Sequence, residues 1–151
     1  MTLKAQQQIA VNASPSAVYS YLIDFPRHVE WASSSLSITQ TSSGPVEVGS
    51  TFVSETSQSK RSQQDQLTIT ELEPDSKIVF ETEGAAGLSR LYFLIEGTGD
   101  GTLLTKGMEG AGEPLFIKII SPVFPVIGKR IGKRLFDGDL QRIKFRIEEM
   151  I

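Results

Sequence analysis

Cysteine is absent from this chain, and histidine and tryptophan occur once each, as His28 and Trp31. Without thiols, disulfides, thiolate nucleophiles and cysteine-based zinc sites are excluded. With a single imidazole, a metal site would have to be built largely from carboxylates, and no Asp/Glu cluster has suitable spacing. No metal and no cofactor is therefore expected. The serine groups Ser33-Ser34-Ser35 and Ser42-Ser43 lack the Gly-x-Ser-x-Gly setting of a nucleophile elbow. Gly84-Ala-Ala-Gly87 and Gly110-Ala-Gly112 match neither the dinucleotide nor the P-loop pattern, and read as turns. No internal repeat or low-complexity linker is present. Met1 to Gln8 reads as an alternating polar strand rather than a leader, which makes a cytoplasmic protein the expectation. Pro114 to Ile127 is almost entirely apolar, but it is too short to span a bilayer and is interrupted by Pro122 and Pro125.

At 151 residues the chain fits one domain spanning 1–151. A domain of that size buries roughly two-thirds of the surface its unfolded chain exposes, enough for one sizeable core. The net charge of −3 is unevenly spread. Between Lys118 and Arg146, eight basic residues face two acidic ones, a local +6 that leaves −9 for the remainder. Such a pole suits an anionic lipid surface or, more commonly, the solvated face of a helix. Lys129-Arg130 and Lys133-Arg134 repeat at four residues and share one side of that helix. A further reading is thus an interaction module that sets the basic, apolar C-terminal segment on a membrane surface or a partner protein; nucleic acid is not expected, and the state is monomer or homodimer.

Period-two alternation dominates from Leu3 to Glu109. Ala5, Ile9 and Val11 give a first strand, Leu36 to Thr41 a second, and Thr51 to Ser59 with Ser62 to Leu72 a hairpin. Lys77 to Glu83, Leu91 to Ile95 and Thr102 to Glu109 follow, making about seven strands for one curved antiparallel sheet. Between the first two strands, Ser14 caps a helix whose first turn holds Pro15, and Val18, Tyr21 and Leu22 share one of its faces. A second short helix begins at Phe25-Pro26 and closes at Trp31. From Val126 to Ile151 a long helix is predicted, with stripes Ile127, Ile131, Leu135 and Leu140, Ile143, Ile147, Met150 that differ in phase, so that a bend near Asp137-Gly138 is expected.

The order Val11-Asn-Ala-Ser-Pro-Ser-Ala-Val-Tyr, Asp24-Phe-Pro-Arg-His-Val-Glu-Trp31 and Gly44-Pro-Val-Glu-Val-Gly-Ser50, with Glu71-Leu-Glu-Pro74, Gly101-Thr102 and Asp139-Leu140, resembles the START-like (SRPBCC) superfamily, in particular its polyketide cyclase/dehydrase and lipid-transport branch. The resemblance covers nearly the whole chain. It implies an α+β helix-grip fold, in which the sheet wraps around the long C-terminal helix with a ligand cavity between them. It further implies a hydrophobic ligand such as a lipid, a quinone or a polyketide-like compound, bound without covalent chemistry or turned over by a cyclase or dehydratase.

For proton chemistry the candidates are His28, Lys106, Tyr19 and Tyr92. His28 has Asp24 and Glu30 at hand as orienting groups, but no nucleophile beside it, and a solvent-facing ring is expected. Lys106 shares strand parity with Leu104 and Met108. If that parity faces the cavity, the amine projects among apolar groups as an anchor or catalytic base; if Leu103 and Thr105 face inward, it is ordinary surface. For the apolar wall of a cavity, or equally a filled core, the candidates are Trp31, Phe52, Phe80, Leu91, Phe93, Met108, Phe116, Phe124 and Leu135.

Overall fold

The computed structural model describes residues 4–32, 35–58, 61–84, 87–110 and 124–150. In chain order these form β1 (Lys4–Val11), α1 (Pro15–Leu22), a 3-10 turn (Phe25–Glu30), β2 (Ser35–Gln40), β3 (Thr51–Gln58), β4 (Arg61–Glu73), β5 (Lys77–Gly84), β6 (Gly87–Gly97), β7 (Thr102–Gly110) and α2 (Phe124–Glu149). The strands make one antiparallel sheet in the order β1-β7-β6-β5-β4-β3-β2, and the described elements form a helix-grip fold.

Register follows from side-chain alternation, because a slip of one residue would turn each strand's apolar set to the wrong face. Along the inner face, Phe52 pairs with Leu67, Ile69 with Phe80, Ile78 with Phe93 and Ile95 with Leu104. A bulge between Ile69 and Glu71 interrupts the β4–β5 ladder, the kind of feature that bends a strand and increases its twist. Ser14 caps α1 as the sequence indicates, its hydroxyl accepting from the Ala17 N–H at 3.2 Å, and Val18, Tyr21 and Leu22 are buried. Gly49 has φ of +95°, a conformation that L residues rarely adopt, at the turn into β3.

The terminal helix closes the inner face. Phe136, Leu140, Ile143 and Ile147 recur at 3.6-residue spacing and are buried. α2 is continuous through Asp137-Gly138. Among the described side chains Phe136 is the first of the buried stripe, and the expected Met150 is exposed. The same helix covers one edge of the sheet. Lys144 Nζ donates to the Ala10 carbonyl at 3.0 Å, and the Asn12 N–H donates to the Glu148 carboxylate at 2.8 Å. The opposite edge, β2, lies against the 3-10 turn. Arg142 joins the two covers, its Nε donating to the Trp31 carbonyl at 2.6 Å. Among the described residues, no helix is long and apolar enough to cross a membrane.

Closure by α2 carries a measurable consequence. Ile143→Ala is expected to lower unfolding free energy by about 2–5 kcal/mol, the range for truncating a fully buried aliphatic residue. Phe145→Ala, two residues along on the exposed side of the helix, should stay within about 0.5 kcal/mol in the same urea titration.

Candidate functional site

The concave face and α2 enclose a cavity of about 290 Å³, lined among others by His28, Trp31, Leu67, Phe80, Leu91, Lys106, Met108, Phe136 and Asp139. Ser54, Thr56, Asp65, Thr82 and Ser89 add a polar border from β3, β4, β5 and β6. The volume lies at the small end of ligand pockets, and the mixture of apolar walls with a few polar groups is typical of them.

An aromatic column leads from the core to this cavity. Phe25 stacks on Phe52 with centroids 4.8 Å apart and on His28 at 4.5 Å, and the His28 and Trp31 rings lie 4.8 Å apart. The column is a direct product of 3-10 geometry. With three residues per turn, positions 25, 28 and 31 eclipse one another, so the spacing Phe-x-x-His-x-x-Trp puts all three rings on one side.

His28 is thus buried, 3% exposed, and not solvent-facing as the sequence suggested. Its Nε2 lies 2.8 Å from the Leu22 carbonyl. A carbonyl only accepts, so the neutral ring carries its proton on Nε2. Neither expected carboxylate orients it: Glu30 instead accepts from the Tyr21 hydroxyl at 2.9 Å and from Arg27 at 3.3 Å. Burial pushes the imidazole down to about 3, against the pull of the Leu22 hydrogen bond and with the help of the nearby Lys106 charge. His28 is therefore uncharged at neutral pH, its single N–H engaged by the Leu22 carbonyl.

Lys106 takes the inward orientation. It pairs with Phe93 across the β6–β7 ladder and is 5% exposed. Its Nζ lies 4.9 Å from the centroid of the Trp31 ring and 5.1 Å from those of both Phe93 and Phe136. Three ring faces supply the electrostatic attraction that partly offsets desolvation of the ammonium. Burial still lowers its pKa to about 8, opposed by the negative charge of Asp139.

The two tyrosines lie elsewhere. Tyr92 belongs to the opposite parity of β6 and covers Gly107 on the outer face, where a Cβ at 107 would collide with its ring. Its hydroxyl donates to Gln6 Oε1 at 2.9 Å, and burial raises its pKa, with Glu109 adding to the effect. Tyr19 on α1 does not line the cavity, and desolvation together with Asp75 raises its pKa. Neither tyrosine is among the residues that line the cavity.

Of the expected apolar wall, Trp31, Phe80, Leu91 and Met108 line the cavity. Phe52 and Phe93 are fully buried behind it, Phe93 still presenting its face to Lys106. Phe116 lies outside the described residues, as do the side chains of Phe124, Leu135 and the basic pairs at 129–130 and 133–134. Sequence reasoning missed Phe136 and Asp139. The signal was present in the spacing of Phe136 to Leu140, Ile143 and Ile147, which extends the stripe one turn toward the cavity. Among the described residues, no group of His, Asp or Glu side chains could hold a metal ion.

Two outcomes follow from these burials. The folded-state pKa of His28 is depressed, so its stability contribution is complete above the unfolded value near 6.5 and is lost as pH falls toward 3. Wild type should lose up to about 1.4 kcal/mol per pH unit over that window, and His28→Gln should lack that component in parallel denaturation titrations. The sole histidine's ring resonance should not titrate above pH 5 in NMR spectra. Lys106 is depressed too, but as a cation at neutral pH it destabilises the fold. Lys106→Met should raise unfolding free energy at pH 7 by about 1–3 kcal/mol, a gain that shrinks between pH 8 and 10.5.

Comparison with known proteins agrees with this architecture. Solved structures of similar fold include the di-domain ARO/CYC StfQ from the steffimycin biosynthetic pathway, with a TM-score of 0.71 at 16% identity over 99% of this chain and 52% of that one. Ara h 8.0201 gives a TM-score of 0.69 at 11% identity, covering 99% of both chains. Protein CV1439 from Chromobacterium violaceum gives 0.67 at 16% identity, covering 96% of this chain and 97% of that one. No curated protein matches the sequence. The family model described as polyketide cyclase / dehydrase and lipid transport matches residues 2–148. With that match across almost its full length and a seven-stranded sheet gripping α2, the chain belongs to the polyketide cyclase/dehydrase and lipid-transport family of the START-like superfamily.

Proposed function

We propose that this protein binds a compact, planar, largely apolar molecule of the quinone or polyketide-like kind, without covalent chemistry, in the cavity between the sheet and α2. The observation that carries this reading is the cavity itself: about 290 Å³, walled by Trp31, Phe80, Leu91, Met108 and Phe136. Flat aromatic walls suit stacked rings. The small volume favours fused rings over an extended acyl chain. The likeness to a protein of the steffimycin pathway supports a polyketide-like ligand, although at 16% identity it extends to the fold alone. Binding without turnover fits the loss of three of the four candidate proton carriers, since Tyr19 and Tyr92 lie off the cavity and His28 is neutral and bonded to the Leu22 carbonyl.

A second reading, a cyclase or dehydratase, is favoured by one observation. Lys106 places an amine of depressed pKa on the cavity wall, where a proton would be exchanged with a bound ligand.

Native mass spectrometry of the freshly purified protein, followed by solvent extraction, should release a small ring compound. Calorimetry with 9,10-anthraquinone and with palmitate then checks the class. The ring compound at about 100 times its Kd should stabilise the fold by about 2.7 kcal/mol, or roughly 5–10 °C in Tm, and palmitate should not. No shift with either compound, with no ligand released, would overturn the binding reading. A shift with palmitate alone would overturn the ring class.

A further inference from the structure

Two residues that line the cavity carry groups without a hydrogen-bond partner among the described residues. Lys106 Nζ makes no hydrogen bond and no ion pair among the described residues, and its near neighbours are the faces of Trp31, Phe93 and Phe136. Asp139 lines the same cavity, but its carboxylate is held by Arg142 Nη2 at 2.6 Å. The second group is the indole N–H of Trp31. Trp31 is 3% exposed and lines the cavity, and its Nε1 is closed to solvent and has no hydrogen-bond partner among the described residues.

Each of these groups is expensive to leave as it is. A buried donor with no acceptor costs about 1–3 kcal/mol, and an unpaired buried charge costs more. The ring faces satisfy the ammonium's charge only in part, because they accept no conventional hydrogen bond from its N–H groups. Water in the cavity can solvate the ammonium, but Nε1 is closed to water, so the indole N–H gains a partner only when a ligand oxygen displaces the side chains around it. A single ligand group satisfies both at once if it is anionic and carries two acceptor oxygens, one for the ammonium and one for the indole N–H. The rest of such a ligand would run along Phe80, Leu91 and Met108 toward the hydroxyl-lined border at Ser54, Thr56, Thr82 and Ser89.

We infer that Lys106 and Trp31 together form an oxyanion subsite, and that the ligand is a planar aromatic acid whose carboxylate is held by the Lys106 ammonium and the Trp31 indole N–H. The inference rests on the cavity-binding reading above and adds to it the charge and the polar end of the ligand. The depressed pKa of Lys106 gives the subsite a pH signature. The carboxylate binds the ammonium form, so affinity is constant below about pH 8 and weakens above it as the free amine loses its proton. The other titratable groups lining the cavity are His28 from the 3-10 turn, Asp139 from α2 and Asp65 from β4.

The test uses 2-naphthoate and its uncharged isostere 2-naphthamide on the full chain. Calorimetry at pH 7 should show the acid binding about 10–100-fold tighter than the amide, the factor a charge-assisted hydrogen bond supplies. In Lys106→Met that preference should disappear while the amide still binds, and Trp31→Phe should reduce the preference several-fold. Above pH 8 the wild-type affinity for the acid should fall by up to tenfold per pH unit. Lys106→Met retains His28, Asp139 and Asp65, so it should lack that slope if the slope belongs to Lys106. Because the chain has one tryptophan, the single indole N–H signal in a proton–nitrogen NMR spectrum reports the second contact without assignment, and 2-naphthoate should move it downfield. Equal affinity for acid and amide, or an acid preference that survives in Lys106→Met, would overturn the oxyanion subsite and leave the cavity reading standing. Failure of both compounds to bind wild type would overturn the two together.

Discussion

A sheet curved as strongly as this one has a concave face that its own side chains do not fill, and the rest of the molecule depends on how that face is closed. The closure comes from one stripe, Phe136, Leu140, Ile143 and Ile147, on a helix more than a hundred residues downstream of the first strand it covers. Burial of those four side chains fixes the helix, and the helix then protects the β1 edge with Lys144 and Glu148. An exposed edge would offer unpaired backbone groups to another chain. Arg142 completes the enclosure by binding the Trp31 carbonyl, which ties the helix to the 3-10 turn that covers the other edge. The cavity is what remains between these covers.

Within that enclosure the energetics are deliberately uneven. Most of the interior follows the ordinary rule that buried polar groups find partners: Thr102 donates to the Ala13 carbonyl at 2.7 Å and His28 to Leu22. Lys106 and Trp31 break the rule side by side. Local departures from satisfied packing concentrate where a protein binds or reacts. This is the physical reason for reading the pair as a site instead of as core.

The sequence carried much of this. Alternation placed the strands, the Ser14 cap and Pro15 placed α1, and the order of turns matched the family over most of the chain. The inner wall was partly legible as well, since Trp31, Phe80, Leu91 and Met108 all stood among the expected lining residues. What misled was period. Reading His28 as solvent-facing followed from the lack of a nucleophile beside it in sequence, and its near neighbours Arg27 and Glu30 do face outward in part. In a 3-10 turn the relevant neighbours are three residues away, Phe25 and Trp31, and they carry the imidazole inward. Tyr92, a candidate proton carrier, stands away from the cavity for a different reason. It sits one residue from Phe93, and in a strand that single step exchanges the cavity for the outer face.

By itself, then, the amino-acid sequence determined the local elements, the absence of thiol chemistry and the family, because capping, alternation and turn residues act over a few positions. Only the tertiary structure decided the orientation of Lys106. Both parities of β7 satisfied the alternation, and Thr105 is as buried as Lys106, but Lys106 is the one that meets the ring faces of Phe93 and Phe136. The choice was made by pairing with β6 and by the arrival of Phe136 from a distant helix. Contacts between residues 31, 93, 106 and 136 depend on strand order and helix placement, which no short window of sequence contains.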